Sequence, residues 1–260
     1  MRKCWNGAGG KHPMWRAEKK ASGFQTFGSP VLDEISCQNY LVIIPALNEE
    51  RHIGQIVHAL REMHLNVLVV DDGSADRTAD LAEAEGAVVI RHEQNQGKGK
   101  ALSAGFTYAA EEGYDALVTM DADGQHDPAD VPRFFDTYNR TGIPVLVGNR
   151  MHDRRRMPWV RRCTNRLMSR ILNRQMNQYI PDTQNGFRLY QTDVVRMVVA
   201  ENEGFAAESE ILLKLDEIDI RMGSVPIAAV YADEKSHIRP LHDTRLFFRM
   251  LRHQFSRSGS

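Results

Sequence analysis

Apolar-rich runs of four to six residues recur along the chain between positions 41 and 148. The five runs are LVII (41–44), NVLVV (66–70), AVVI (87–90), DALVTM (115–120) and IPVLVG (143–148). They do not alternate apolar with polar residues, which is typical of strands buried on both faces of a parallel sheet. Between them, residues at helical spacing, such as Ile53, Ile56, Val57 and Leu60, predict amphipathic helices. The chain is therefore predicted to have an α/β fold with a mainly parallel sheet and helices on both faces.

The alternation of strands and helices breaks beyond Arg150. The later features are a basic segment (150–176), PDTQNGFRLY (181–190), a predicted helix near 207–219, a predicted strand VPIAAVYA (225–232) and an amphipathic segment LFFRMLRHQF (246–255). We predict one domain over 39–255, in which 39–149 forms most of the sheet and 150–255 covers a crevice at its edge. Residues 1–38 show no periodicity and are predicted to be a poorly ordered extension.

Composition and charge restrict the class of protein. The 260 residues are 42% hydrophobic and 26% charged, and the net charge of −1 gives no overall field for binding nucleic acid. Cys4, Cys37 and Cys163 are too far apart for a zinc motif or a disulfide framework, which favours a reducing compartment. No apolar run reaches the ~18 residues of a membrane span, and the N-terminus lacks a secretory signal. We expect a cytoplasmic protein that is at most peripheral, at the inner face of a membrane.

Polar side chains follow four of the predicted strands at the point where each strand ends. Pro45, Asn48 and Glu49 follow the first, Asp71 and Asp72 the second, Gly97 and Lys98 the third, and Asp121, Asp123 and Gln125 the fourth. Each loop alone has an ordinary explanation, such as Asn48 as a helix N-cap or Asp71 and Asp72 in a turn. Because the carboxyl ends of parallel strands meet in one crevice, the four loops together predict a shared site.

The side-chain types indicate what this site would hold. Asp121 and Asp123 point the same way from an extended segment and would repel each other without a cation between them. Paired carboxylates favour Mg²⁺ or Mn²⁺, which prefer oxygen ligands and bridge to phosphates. Gly97 and Lys98 offer close approach and a positive charge to phosphate. Asp127, in contrast, is expected to cap the next helix at its N-terminus. The simplest common content is a nucleotide with a divalent metal.

Five motifs occur in a characteristic order and spacing: VIIPALNEE, VLVVDDGSADRT, NQGKGKA, MDADGQHDP and DTQNGFR. Through them the chain, from about Tyr40 to His253, resembles the family 2 glycosyltransferases of the GT-A fold. Within that family it is most similar to the polyprenyl-phosphate glycosyltransferases typified by dolichyl-phosphate mannose synthase. The resemblance implies an inverting, metal-dependent enzyme that moves a sugar from a UDP- or GDP-sugar to a polyprenyl phosphate or another membrane lipid.

The resemblance also implies roles for the candidate site residues. The positions at which the family holds base and ribose are those of Pro45, Asn48, Glu49, Asp71 and Asp72. The next loop of that pocket contains Gly97 and Lys98. The family's metal and diphosphate motif is matched by Asp121, Asp123 and Gln125. Residues 39–149 would then be the nucleotide-binding half, and 150–255 the acceptor half.

The second half of the chain contains the predicted acceptor-side residues. Asp182 matches an acidic family position near the reacting centre, either as a base for a hydroxyl acceptor or as an orienting group for a phosphate. Glu208 is a second catalytic candidate or an ordinary first-turn helix carboxylate. The residues predicted to bind the acceptor or its phosphate are Arg150, Arg188, Lys235 and His237. The last two stand in for the lysine that the family places after a serine.

Other functions fit part of the pattern. Many relatives carry transmembrane helices after the catalytic domain, and this sequence shows none, so a soluble glycosyltransferase acting on a saccharide or a small molecule is an alternative. VLVVDDGS and VTMDADG also resemble a metal-binding phospho-receiver domain, which is a regulatory module. A receiver begins with the strand that carries its acid pair, whereas another strand and helix precede Asp71 here. A sugar nucleotidyltransferase would need a glycine- and arginine-rich loop where PALNEE stands.

Positive charge is concentrated between Arg150 and Arg174, a segment with nine arginines and one acidic residue, Asp153. Arginines recur at 162, 166, 170 and 174 beside an apolar stripe of Val160, Cys163, Leu167 and Ile171. This is the pattern of a basic amphipathic helix. For this segment and for 245–255, we predict either that the apolar faces pack on the sheet, as in ordinary surface helices, or that the basic faces lie against anionic lipid headgroups.

Overall fold

One sheet of seven strands organises the part of the chain that the computed structural model describes, residues 39–150, 159–197 and 205–228. The strands are β1 (Tyr40–Ala46), β2 (Asn66–Asp71), β3 (Val88–Arg91), β4 (Ala116–Thr119), β5 (Val145–Asn149), β6 (Arg188–Gln191) and β7 (Met222–Pro226). Their order is β3-β2-β1-β4-β6-β5-β7. Strand β6 is antiparallel to β4 and β5, and the other pairings are parallel. The mainly parallel sheet is thereby confirmed.

Helices cover both faces of the sheet, as predicted. They are α1 (Ile53–Glu62), α2 (Thr78–Ala84), α3 (Lys98–Glu111), α4 (Val131–Thr141), α5 (Trp159–Asn173), α6 (Thr192–Val195) and α7 (Phe205–Glu217), with a 3₁₀ turn, Pro128–Asp130, before α4. Buried residues of α1, α2 and α4 pack with Val42 and Ile44 of β1 on one face. Those of α3, α5, α6 and α7 pack on the other face with Leu41 and Ile43, since side chains alternate along a strand.

Two glycines fix the position of α3. A β-carbon at Gly105 would lie 2.6 Å from Cγ2 of Ile43, so the helix packs on β1 at a distance that only glycine allows. Gly97, directly before the helix, has a φ of 89°, in the left-handed region that favours glycine. The first residue of the helix, Lys98, is thereby placed beside the loop that follows β4.

Three predicted elements differ from the structure. Asn48 is not an N-cap, because α1 begins at Ile53 and Asn48 has a left-handed φ of 57°. The strand predicted over 225–232 begins at Met222 and ends at Pro226, and residues 229–232 lie outside the described part. Strand β6 was not predicted. The capping role of Asp127 is confirmed, since its side chain accepts from the N–H of Ala129 at 3.0 Å.

Helix α5 buries only part of the predicted apolar stripe, since Ile171 packs partly buried against the core. Met168 and Leu172 are buried, whereas Cys163 is exposed and the side chain of Leu167 is 58% exposed. The contact of Ser169 with Thr183 turns the 168–172 face inward. The exposed face of α5 is therefore both basic and partly apolar.

Several predictions concern residues outside the described ranges. These are the extension 1–38, the basic segment 245–255, and Lys235 and His237. The proposed domain limits therefore remain predictions. In the described ranges, no helix is both long enough and apolar enough to cross a bilayer.

Candidate active site

The loops after β1, β2, β3 and β4 meet at the carboxyl edge of the sheet. The N–H of Asp72 donates to the carbonyl of Ala46 at 2.9 Å, and the N–H of His92 donates to the carbonyl of Asp71 at the same distance. The first residue of α3 reaches the loop after β4. The polar residues that the sequence assigned to one crevice are therefore neighbours.

Asn48 and Glu49 bind the first loop to the second. Oδ1 of Asn48 accepts from the N–H of Ala75 at 2.8 Å, and its own N–H donates to Oγ of Ser74 at 2.9 Å. The N–H of Glu49 donates to Oγ1 of Thr78 at 2.7 Å. The left-handed conformation of Asn48 thus serves this link between loops and not the start of α1.

Pro45 and Asp71 lie at the ends of the two central strands of this half. Pro45 is in register with Val70, and Asp71 with Ala46. Asp71 is buried, and its Oδ1 accepts from the N–H of Ser74 at 3.1 Å, which closes the turn after β2.

Asp72 fixes the third loop. One carboxylate oxygen lies 2.7 Å from Nδ1 of His92, and the other accepts from the N–H of Gly97 at 2.7 Å. A β-carbon at Gly73 would lie 2.7 Å from the carbonyl carbon of Gln94, so the second and third loops are in backbone contact there. Asp72 therefore holds Gly97, the residue before α3, in place, a role that the motif alone did not indicate.

Lys98 joins the two halves of the site. Its Nζ lies 2.5 Å from Oδ1 of Asp121 and 2.7 Å from Oε1 of Glu208, which is in the first turn of α7. A β-carbon at Gly186 would lie 2.7 Å from Oε1 of Glu208 and 3.0 Å from both carboxylate oxygens of Asp121. A side chain at this position would therefore displace the carboxylates from the backbone.

The charges in this cluster stabilise one another. Burial alone would lower the pKa of Lys98, but Asp121 and Glu208 outweigh it and hold the pKa well above its usual range. Burial would raise the pKa of Asp121, but the charge of Lys98, and after it that of Arg150, holds this pKa well below its usual range. Lys98 and Asp121 are therefore both charged at neutral pH.

The loop after β4 also contains Asp123 and Gln125. Oδ1 of Asp123 accepts from the N–H of Gln125 at 3.0 Å, and both side chains are half-buried. No cluster of three or more His, Cys, Asp or Glu in the described part of the chain is arranged to hold a metal. Mg²⁺ commonly uses one or two protein carboxylates and completes its shell with phosphates and water. The carboxylates of Asp121 and Asp123 fit that requirement.

His126 and Asn185 contact the same loop from its buried side, and neither was predicted as a site residue. Nδ1 of His126 accepts from the N–H of Asp121 at 3.1 Å, so its proton is on Nε2, 3.0 Å from Oδ1 of Asn185. Nδ2 of Asn185 donates to the carbonyl of Gly148 at 2.7 Å. Burial lowers the pKa of His126, which keeps the ring neutral. In the sequence, both can be recognised as polar residues inside a motif, His126 in the acidic MDADGQHDP and Asn185 in the glycine-containing DTQNGFR.

Asp182 and Arg150 form a two-point ion pair. Nε of Arg150 donates to Oδ2 of Asp182 at 2.9 Å, and Nη2 donates to Oδ1 at 3.2 Å. The Arg150 side chain is 11% exposed and that of Asp182 is 0% exposed. Two residues that were predicted to act separately at the acceptor are thus one unit.

Arg188 is fully buried, which does not favour the predicted contact with an acceptor phosphate. Its guanidinium donates to the carbonyls of Asn185 at 2.7 Å, Thr183 at 2.9 Å and Glu208 at 2.7 Å. Arg188 therefore supports the backbone on which Asp182 and Glu208 are placed.

The chain matches a family of known enzymes. The family model described as Glycosyl transferase family 2 matches residues 41–198. The chain is 30% identical over 215 residues to the UDP-N-acetylglucosamine–dolichyl-phosphate N-acetylglucosaminyltransferase of Methanococcus voltae, covering 74% of this chain and 86% of that one. It is 31% identical over 205 residues to the undecaprenyl-phosphate mannosyltransferase of Micrococcus luteus, covering 73% and 83%.

Solved structures show the same fold. Glucosyl-3-phosphoglycerate synthase from Mycobacterium tuberculosis, in complex with Mn²⁺, UDP and glucosyl-3-phosphoglycerate, superposes with a TM-score of 0.68 at 20% identity. The match covers 91% of this chain and 87% of that chain. The same enzyme has also been solved with Mg²⁺ and UDP. The receiver-domain alternative is thereby excluded, and the chain belongs to glycosyl transferase family 2 as a glycosyltransferase of the GT-A fold.

Proposed function

We propose that the protein transfers a sugar from a UDP- or GDP-sugar to a polyprenyl phosphate at a membrane surface, with inversion at the anomeric carbon and with Mg²⁺ or Mn²⁺. The observation that carries this proposal is the pair of cations at the carboxyl edge of the sheet, with the ammonium group of Lys98 beside Asp121 on the donor side and the guanidinium of Arg150, directly after β5, on the acceptor side. Cations on both sides suit a reaction in which both substrates bring phosphate groups. The relatives that are named for dolichyl phosphate and undecaprenyl phosphate support the acceptor.

The donor is assigned to the loops of residues 39–149. Base and ribose would contact the first two loops, through Pro45, Asn48, Glu49 and Asp71. Asp72 would act indirectly, by holding Gly97 and so the start of α3. Lys98 would offer its charge to the diphosphate. This division makes 39–149 the donor half and 150–255 the acceptor half.

A divalent metal would be held by Asp121 and Asp123, with the side-chain oxygen of Gln125 as a third predicted ligand. When bound, it neutralises the charge that develops on the leaving nucleoside diphosphate. Lys98 adds a fixed positive charge beside the same carboxylate. Both contributions stabilise the transition state more than the bound donor, since the charge develops as the bond to the sugar breaks.

A phosphate acceptor does not need a strong base. A phosphate monoester already has about −1.5 to −2 charge near neutral pH, so its oxygen is a competent nucleophile. A second candidate is a hydroxyl acceptor on a saccharide or a small molecule, which would need a base. Glu208 favours that candidate, because its Oε2 is buried without a hydrogen-bond partner among the described residues.

Helix α5 supports a peripheral contact with the inner face of a membrane. Arg166, Arg170 and Arg174 are exposed along one side of the helix and the turn after it. Leu167, 58% exposed, lies among them, and Tyr179, further along the chain, is 76% exposed. Exposed cations with apolar side chains suit an anionic lipid surface.

The test is release of nucleoside diphosphate from a panel of UDP- and GDP-sugars, with Mg²⁺, Mn²⁺ or EDTA, in the presence and absence of polyprenyl phosphate. We expect release from one class of donor, dependent on metal and stimulated by the lipid. The anomeric configuration of the product, read by NMR, tests inversion. Equal release in EDTA would remove the metal from the proposal, and release that only a water-soluble acceptor stimulates would favour the second candidate.

A further inference from the structure

The side-chain amide of Asn185 has one orientation, fixed by the backbone. Its Nδ2 donates to the carbonyl of Gly148 at 2.7 Å, and its Oδ1 accepts from the N–H of Phe187 at 3.2 Å. Because a backbone carbonyl only accepts and a backbone N–H only donates, the amide cannot be turned over without losing both bonds. The atom of Asn185 that lies 3.0 Å from Nε2 of His126 is therefore an acceptor oxygen.

The tautomer of His126 follows from its two partners. Nε2 carries the proton, since it meets the acceptor oxygen of Asn185. Nδ1 is then an acceptor, and the N–H of Asp121 donates to it at 3.1 Å. The neutral imidazole thus uses one nitrogen as a donor and the other as an acceptor, each in a defined direction.

The bond from Asp121 to the imidazole takes the place of a strand contact. Strand β4 ends at Thr119, and the N–H of Met120 donates to the carbonyl of Ile43 in β1 at 3.0 Å. The next N–H along the chain, that of Asp121, donates to His126. A backbone N–H that leaves a sheet needs another partner. The imidazole therefore fixes the backbone from which the candidate metal carboxylate extends.

Packing holds the imidazole in place. His126 is 3% exposed, and its ring stacks on that of Phe187, with centroids 4.9 Å apart and an angle of 24° between the planes. A β-carbon at Gly148 would lie 2.6 Å from Nδ2 of Asn185, so a side chain there would displace Asn185 from β5. Three hydrogen bonds in series thus connect the backbone of Asp121 with β5.

We propose that His126 is a positioning residue for transfer, whose neutral ring fixes the backbone of Asp121 to Asn185 and so sets the donor half against the acceptor half. The inference rests on the proposed function, in which Asp121 faces the metal and the diphosphate and Asn185 belongs to the acceptor half. The ring holds Asp121 by its backbone, since the nearer carboxylate oxygen lies 4.0 Å from Nε2. In this role His126 acts through Asp121 and is not a ligand of the metal.

The test compares His126→Asn and His126→Phe with wild type. An asparagine places its amide oxygen near the position of Nδ1, so it can still accept from the N–H of Asp121, but it is too short to reach Asn185. A phenylalanine keeps the ring stack and loses both hydrogen bonds. The two readouts are the affinity for UDP and GDP in Mn²⁺, measured by calorimetry, and kcat for transfer to polyprenyl phosphate.

The two variants should separate affinity from kcat. We expect His126→Asn to keep the nucleotide affinity of wild type and to lose about tenfold to a hundredfold in kcat, as for a displacement of about 1 Å between reacting groups. His126→Phe should lose at least as much in kcat and should also bind the nucleotide about tenfold more weakly, as for loss of one hydrogen bond. A residue needed only for stability would not produce this difference between the variants.

Phe134→Leu is the matched control for packing. The ring of Phe134 lies 4.7 Å from that of Phe187, so leucine loosens the same aromatic group and leaves the three hydrogen bonds. The proposal is overturned if this control loses as much kcat as His126→Phe, if His126→Asn is as active as wild type, or if His126→Phe keeps wild-type affinity. If His126→Phe does not fold, Asn185→Ala breaks the same link from its other end, and wild-type kcat in that variant overturns the proposal.

Failure of the proposed function would appear in the wild type. If nothing is transferred to polyprenyl phosphate, hydrolysis of the donor by water replaces transfer as the measure of kcat. If EDTA leaves the nucleotide affinity of wild type unchanged, the metal assignment fails, and the affinities of the variants are compared without metal. In both cases weaker nucleotide binding in His126→Phe, but not in His126→Asn, supports the positioning role, and equal affinities contradict it.

Discussion

Lys98 connects residues that are far apart in the sequence. It begins α3, Asp121 follows β4, and Glu208 lies in α7, yet one ammonium group contacts both carboxylates. Its high pKa and the low pKa of Asp121 have the same cause, since each stabilises the charge of the other. The candidate metal ligand is therefore kept ionised by protein charges.

Asp123→Ala should abolish turnover and leave the fold intact. We expect kcat to fall by at least about a thousandfold, because a bound metal contributes several kcal/mol at the transition state. The free energy of unfolding should change by less than about 1 kcal/mol, since the side chain is half-buried. Asp127→Ala is the control, and loss of its N-cap should cost about 1 kcal/mol with activity retained. Substantial activity in Asp123→Ala, with unchanged Mn²⁺ affinity, would contradict the metal assignment.

Gly186→Ala should disturb the Lys98 cluster without a change of charge. The added β-carbon would lie 2.7 Å from Oε1 of Glu208, so the carboxylates must move. A displacement of about 1 Å can cost on the order of a hundredfold in rate, which is the loss of kcat that we expect. Gly54→Ala in α1 is the control, because its β-carbon would lie 4.0 Å from Leu81 and should stabilise the helix. Equal activities of the two variants would show that the close approach has no consequence.

Asp130→Asn tests the effect of a buried carboxyl on stability. Burial raises the pKa of Asp130 above that of the unfolded chain, so the unfolded state loses its proton first as pH rises. Asp130 therefore contributes less to stability at pH 7 than at pH 4. The asparagine can still accept from the N–H of Ala228, which the native side chain does at 2.8 Å. In urea unfolding, the free energy of unfolding of the variant should increase relative to that of wild type between pH 4 and pH 7. A difference in this free energy that stays constant with pH would refute the prediction.

At the scale of elements, the sequence predicts the long regular units well and the short irregular ones poorly. The five strands before Arg150 were predicted because each is an uninterrupted apolar run. Strand β6 was missed because it begins with the buried Arg188 and directly follows a glycine-containing motif. For α5 the sequence left packing and lipid contact of the stripe open, and the structure divides the stripe: Ile171 packs partly buried against the core, whereas Cys163 and Leu167 are exposed.

The exposed face of α5 should determine binding to anionic vesicles. Each arginine near the lipid surface contributes about 1 kcal/mol, so Arg166→Ala/Arg170→Ala should weaken binding by more than about tenfold at low salt. Arg140→Ala, on α4 and the opposite face of the sheet, should bind as wild type does. Leu167→Ser should weaken binding at high salt as well, whereas Ile218→Ser should not. A flotation assay without a difference between anionic and neutral vesicles would contradict the membrane contact.

Across the whole molecule, the residues of the donor side can be predicted from local sequence, whereas the contacts of the acceptor side cannot. The donor loops are consecutive along the chain, and each follows the strand that positions it. The acceptor side depends on β6, which inserts antiparallel between β4 and β5 and brings Asp182 to Arg150. Pairs separated by 32 residues, such as this one, have no local signature. That is why Asp182 and Arg150 were predicted as separate residues.

The most direct test of the account is the identity of the product made from a labelled nucleotide sugar. The protein would be incubated with Mn²⁺, the donor and anionic vesicles containing polyprenyl phosphate, beside vesicles without it and a set of soluble saccharide acceptors. We expect a labelled, organic-extractable sugar phosphate lipid that forms only with polyprenyl phosphate and is absent for Asp123→Ala. Label that stays in the aqueous phase, on a soluble acceptor and at the same rate without the lipid, would contradict it.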